Sequence, residues 1–97
     1  MRVQLAPELI AKVKKQDVRI RKSFKIAIGL FSKDPNYLGL NNHSLSKELE
    51  GFRSIDITSD LRAVYQEISE ADKTFAYFVD LGTHDQLYGK DKKLLES

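Results

Sequence analysis

Thr74-Phe75-Ala76-Tyr77-Phe78-Val79-Asp80-Leu81 is the most β-prone run in this 97-residue chain. Aromatic and branched side chains occupy both parities, so neither face of the strand is reserved for water. A strand of that kind belongs inside a sheet, with a neighbour on each side. Working back from it, Glu70-Ala71-Asp72-Lys73 reads as a hairpin connection. Residues 61–69, with Val64, Tyr65 and Ile68, read as the strand before it. Ser59-Asp60 makes a tight turn. Residues 52–58 alternate, with Ile55 and Ile57 on one side and Ser54 and Asp56 on the other. Three strands joined by short turns make an antiparallel meander.

The N-terminal third has a different period. Arg2 to Leu5 alternates polar and apolar and predicts a short opening strand. Pro7 fits the first turn of a helix, where its missing N–H costs nothing. Leu9, Ile10 and Val13 form the apolar face of that helix. Asp17 is the N-cap of a second helix, in which Ile20, Phe24, Ala27, Ile28 and Phe31 follow the spacing of a buried stripe. Asp34-Pro35 ends it. Residues 34–51 read as an irregular loop holding His43, pinned by Leu40 and Leu45 and closed by Gly51. The order β-α-α-β-β-β predicts an α+β fold: a strand followed by two helices packed on a largely antiparallel four-stranded sheet. One domain over residues 1–97 is expected. It divides into a strand and basic helices (1–33), a loop (34–51), a meander with a catalytic end (52–89) and a charged tail (90–97).

Hydrophobic residues are 41% and charged residues 31%, the balance of a globular chain rather than a disordered one. There is no cysteine, which removes disulfide scaffolds and thiolate metal sites. No secretory leader and no run of bilayer-spanning length is read, so no membrane partner and a cytoplasmic location are expected. The net charge of +2 hides an asymmetry. Residues 1–33 carry nine Lys/Arg against two Asp/Glu, and residues 34–97 carry seven against twelve. A basic first third faces either a polyanion or plain solvent.

After Leu81 comes Gly82-Thr83-His84-Asp85-Gln86-Leu87-Tyr88-Gly89. Gly82 lets the chain turn, and the turn carries a proton-transfer group and a phenol ring four residues apart. Phosphodiester cleavage needs a proton moved, and a base needs a surface to stack on. His43 is the only other histidine, and both lie on segments that can reach one rim. Either can equally be an exposed histidine without a role. Asp60 serves turn chemistry or a site. Arg62 and Arg53 lie within β-prone runs. If they shared one sheet face they would form an anion site, although parity puts Arg53 with Ile55 and Ile57 rather than with Asp56. Asp80 could orient the His84 imidazole. No spacing supports a metal site, and no glycine-rich loop supports a nucleotide cofactor, so neither is expected.

Taken together, Asn42-His43-Ser44-Leu45, Gly51-Phe52-Arg53-Ser54-Ile55-Asp56-Ile57, Ser59-Asp60-Leu61-Arg62-Ala63-Val64-Tyr65 and the run from Gly82 to Gly89 resemble the YafQ-like branch of the RelE/ParE toxin superfamily. The opening strand and helices follow the same order. The resemblance implies a compact fold like that of microbial ribonucleases. It implies the toxin of a type II toxin–antitoxin system, which cuts mRNA on the ribosome and is neutralised by a cognate antitoxin. It also implies catalytic roles for His43, Asp60, Arg62 and His84, and RNA contacts from Arg53, Asp56 and Tyr88.

The chemistry so implied is metal-free. A base takes the proton of a ribose 2′-OH, which attacks the adjacent phosphorus, and an acid protonates the departing 5′-oxygen. Arg62 stabilises the charge on the phosphoryl oxygens, and Tyr88 stacks on a base. This chain departs from the best-known pattern at three places. Asp56 stands where that pattern has a histidine, Leu61 where it has tryptophan, and no arginine stands near Asp80. An acid beside a phosphate site weakens anion binding. Two other readings keep the fold: a ParE-like protein that inhibits DNA gyrase by binding, and a catalytically silent antitoxin-binding member.

Overall fold

The computed structural model describes residues 1–88; Gly89 and the charged tail expected over 90–97 lie outside the described residues. The elements are β1 (Arg2–Leu5), α1 (Pro7–Lys14), α2 (Val18–Lys33), β2 (His43–Ser44), β3 (Arg53–Asp56), β4 (Leu61–Glu70) and β5 (Lys73–Thr83). Short 3-10 turns at Leu38–Leu40 and Lys47–Leu49 flank β2. The fold is α+β, as expected, with the helices packed on one face of an open sheet.

The sheet has five strands rather than four, in the order β1-β5-β4-β3-β2. The additional strand is β2, where His43 pairs with Ser54 and Ser44 with Arg53. His43 is therefore held by a sheet edge and not by the irregular loop the sequence predicts. Two residues are too few to show a period, so the strand exists only because β3 offers an edge. β1 pairs with β5 in parallel, and all other neighbours are antiparallel. The Thr74–Leu81 run is interior as expected, flanked by β1 and β4.

Capping follows the sequence. Pro7 opens α1, and the Asp17 carboxylate accepts from the Ile20 N–H at 3.0 Å to open α2. Ala71 and Asp72 both take positive φ, 47° and 68°, and close the β4–β5 hairpin in the tight turn that matches strand twist. The core sits between the helices and the sheet. Phe31 of α2, Tyr65 of β4 and Phe78 of β5 are fully buried, with ring centroids 4.8–5.2 Å apart. Phe31 meets both partners edge-on, the favoured geometry for aromatic pairs. Phe24 and Ala27 join it, while Ile20 and Ile28 are only partly buried. Ile10 departs from expectation: it is 39% exposed, so Leu9 and Val13 alone turn α1 inward.

One irregularity decides which side chains face away from the helices. The β4–β5 register jumps from Val64↔Asp80 to Tyr65↔Phe78, leaving Val79 as an extra residue. This bulge lets Phe78 and Leu81, three apart, both enter the core. It hands Gly82, opposite Arg62, to the helix-free face. Strict alternation from Phe78 would put Gly82 on the core side.

Candidate active site on the open sheet face

The helix-free face carries the candidate residues in two rows. The ladder aligns His43 with Ser54 and Ser54 with Val64; one step along, it aligns Asp56 with Arg62 and Arg62 with Gly82. Residues paired in this way project to the same side. Arg62 Nε lies 3.3 Å from Asp56 Oδ1. That is an ion pair rather than a well-formed hydrogen bond, since Asp56 Oδ1 is buried and makes no hydrogen bond among the described residues.

Arg53 does not join them. It pairs with Tyr65 and so faces the helix side, where its Nε donates to Asn42 Oδ1 at 3.0 Å. The condition under which the two arginines would form one anion site is not met. Arg53 instead belongs to a polar cluster: Asn42 Nδ2 donates to Pro35 O at 2.9 Å, and Asn42 also bonds the Tyr65 hydroxyl. The cluster fixes the backbone immediately before His43.

His43 itself is well determined. Its Nδ1 donates to Asn41 O at 2.8 Å, and a carbonyl can only accept, so the proton sits on Nδ1. Nε2 lies 3.5 Å from Ser54 Oγ, within reach of that hydroxyl. Ser54 is the one polar residue among those described that is fully buried, and nothing local in the sequence points to its contact with His43.

At the other end of the face, Thr83 Oγ1 accepts from Gln86 N at 3.1 Å and Gln86 Oε1 accepts from Thr83 N at 2.9 Å. This is a reciprocal capping box. It starts a helical turn over residues 84–88. The T-x-x-Q spacing was visible in the sequence, and it is the signal that a turn reading of this segment missed. Gly82 does not turn the chain, since it lies within β5; a Cβ there would fit tightly, 3.1–3.4 Å from side-chain atoms of Gln86 and Leu87. The turn places His84 against Tyr88, with ring centroids 4.4 Å apart and planes tilted 55°. The Tyr88 hydroxyl is buried and has no hydrogen-bond partner among the described residues. His84 Nδ1 is 3.9 Å from the neighbouring Asp85, whereas Asp80 points away to Lys12 Nζ at 2.9 Å. Asp80 therefore does not orient His84.

Ser59, Asp60, Arg62, Thr83, His84 and Asp85 line an open cleft of about 370 Å³. Three of the four residues expected to be catalytic thus share one cavity. His43 does not line it. Its strand is two places from that of Arg62, roughly 10 Å across the ladder at the usual strand spacing. In the sheet order β4, which carries Arg62, lies between β2, which carries His43, and β5, which leads into His84. Among the described residues no cluster of His, Cys, Asp and Glu is arranged to hold a metal ion, and no helix is long and apolar enough to cross a membrane.

No family model and no curated protein matches the sequence. Solved structures do. The YoeB/ParE toxin from Agrobacterium tumefaciens superposes with a TM-score of 0.69 at 16% identity, covering 87% of this chain and 99% of that one. The chain has the fold of this toxin. YafQ from Escherichia coli gives 0.65 at 20% identity, with 92% and 100% covered. YafQ in the E. coli DinJ–YafQ complex gives 0.58 over the same shares.

Proposed function

We propose that this chain is the toxin of a type II toxin–antitoxin system, an endoribonuclease that cuts mRNA on the ribosome in the cytoplasm. The observation that carries the proposal is the cleft in which Arg62, Asp60 and His84 meet. It offers a planar cation for a phosphate beside a group able to move a proton. The shared fold with YoeB/ParE and YafQ toxins supports the toxin role, and the DinJ–YafQ complex supports an antitoxin as partner.

In this reading the scissile phosphate rests on Arg62, whose guanidinium stabilises charge growing on the phosphoryl oxygens. The two histidines act as base and acid on opposite sides of that phosphate. One imidazole takes the 2′-OH proton as that oxygen bonds to phosphorus. The other hands a proton to the 5′-oxygen as the P–O5′ bond breaks, leaving a 2′,3′-cyclic phosphate. Tyr88 and the His84 ring form an aromatic ledge for a neighbouring base. Asp56 borders the phosphate position through its pair with Arg62.

The test is induction of the chain without a partner, followed by primer extension on total RNA. The expected result is growth arrest with new 5′ ends in translated messages, both lost in Arg62→Ala and His84→Ala. Arrest without new 5′ ends would turn the reading toward an inhibitor that acts by binding. No arrest at all would remove the toxin reading.

A further inference from the structure

Asn42 ties together three segments that lie apart in the sequence. Its Nδ2 donates to Pro35 O, just beyond the end of α2, at 2.9 Å and to the Tyr65 hydroxyl of β4 at 2.8 Å. Its Oδ1 accepts from that hydroxyl and from Arg53 Nε of β3, each at 3.0 Å. A side-chain amide has two donor hydrogens and two acceptor lone pairs, and here all four are used. The Tyr65 end of the cluster is rigid, because its ring is fully buried between Phe31 and Phe78.

The residue before Asn42 sets the catalytic candidate. Asn41 sits in the left-handed region, φ 49° and ψ 47°, which asparagine tolerates better than most residues. Its N–H bonds Leu38 O at 3.1 Å, and its carbonyl accepts from His43 Nδ1 at 2.8 Å. The carbonyl that holds the ring therefore belongs to the peptide bond leading into the anchored Asn42. With Nδ1–H held there, Nε2 is the nitrogen through which the ring takes up or gives up a proton. A histidine side chain free in water favours the other tautomer, with the proton on Nε2. Loss of the Asn41 carbonyl would turn Nε2 of the neutral ring from an acceptor into a donor. Arg53 pairs with Tyr65 and faces the helix side, so its guanidinium is turned from a phosphate on the open face.

We infer that Arg53 and Asn42 are positioning residues for His43: through the Asn41 carbonyl they fix the tautomer and direction of its ring, and Arg53 does so without touching RNA. The inference rests on the reading of His43 as a proton-transfer group.

Arg53→Gln and Arg53→Met separate the two uses of an arginine. Glutamine carries an N–H as many bonds from the backbone as Arg Nε, without the charge; methionine carries neither. Tyr65→Phe breaks the same cluster from the core side, where no RNA reaches. Long-range ¹H–¹⁵N spectra of the ring nitrogens, recorded where both rings are neutral, read the tautomer. The chain has two histidines, so His84→Ala assigns the signals. The native chain and Arg53→Gln are expected to keep the proton on Nδ1. In Arg53→Met and Tyr65→Phe the Nε2–H form is expected to appear. Single-turnover cleavage of mRNA on ribosomes should then slow by roughly ten- to a hundredfold, with affinity for a non-cleavable RNA unchanged. The Nδ1–H tautomer persisting in Arg53→Met, or in Tyr65→Phe should the first variant fail to melt cooperatively, overturns the inference. So does an equal loss of RNA affinity in Arg53→Gln and Arg53→Met, which would make the charge of Arg53 a direct contact. A native chain that cleaves no RNA would sink the nuclease reading, and the ring spectra would still decide whether the cluster fixes His43.

Discussion

Arg62 and Asp56 face each other across β3 and β4, 3.3 Å apart, on the sheet face away from the helices. Their side chains are 29% and 33% exposed, so solvent screens the pair and its contribution to stability is at most about 1 kcal/mol. Its larger effect is competition, since the carboxylate occupies the guanidinium that a phosphate would use. Asp56→Asn is expected to tighten binding of a non-cleavable RNA by roughly two- to fivefold at low salt, an effect that fades as salt rises. Fluorescence anisotropy measures it. Weaker binding in this variant would show that Asp56 holds Arg62 in place instead of competing for it.

In the proposed mechanism the two histidines are base and acid of one displacement, so their effects should not add. His43→Ala and His84→Ala are each expected to slow single-turnover cleavage by about 10²–10⁴-fold. The double variant should fall little below the less active single one, because losing either proton transfer already disables the displacement. Strict additivity, with each loss multiplying the other, would mean that the histidines serve separate steps.

His84 and Tyr88 depend on the capping box at the start of their turn. Gln86→Ala removes one arm of it and should cost that turn about 1 kcal/mol. The core lies elsewhere, so global unfolding should shift little. Amide exchange over residues 84–88 should quicken, and cleavage should drop by roughly tenfold as the imidazole proposed to move a proton loses its setting. Unchanged exchange with a large loss of activity would instead make Gln86 a direct contact of RNA.

The sequence revealed its elements better than their alignment. The α2 stripe, the Asp17 cap and the interior strand could be read because each depends on spacing within one segment. Pairing depends on distant partners. Nothing local announces that β1 lies parallel to β5, or that two residues around His43 join the edge of β3. The Val79 bulge is another such case: it reverses the parity of the strand end and decides where Gly82 points. The face of Arg53 was legible, since it alternates with Ile55. The opposite face of Arg62 needed the register of the β3–β4 turn. Residue type and order mark His84, Asp60 and Arg62 as candidates, and only the folded chain shows that they line one cleft while His43 does not.

Tyr65 joins that ladder to the core. Its ring packs between Phe31 and Phe78, and its hydroxyl bonds Asn42, the residue before His43. Tyr65→Phe keeps the ring and removes the bond, so a loss of about 1 kcal/mol is expected. For a domain of this size that lowers the melting temperature by roughly 4–8 °C. Asn42→Ala should cost more, because it leaves both the Tyr65 hydroxyl and Arg53 Nε without their partner. The reverse order in a melting experiment would mean that the cluster contributes little and that the ring alone fixes this corner.

Gly29 offers a change of the opposite sign. It lies inside α2, is exposed, and a Cβ built on it meets nothing within 4 Å. Its φ is not positive, so no backbone feature requires glycine there. Glycine in a helix interior costs about 0.5–1 kcal/mol relative to alanine, through the extra freedom of the unfolded chain. Gly29→Ala should recover that amount and raise the melting temperature by several degrees. If alanine leaves the melting temperature unchanged, α2 is not limited by its own backbone entropy, and its packing against Tyr65 and Phe78 sets its stability alone.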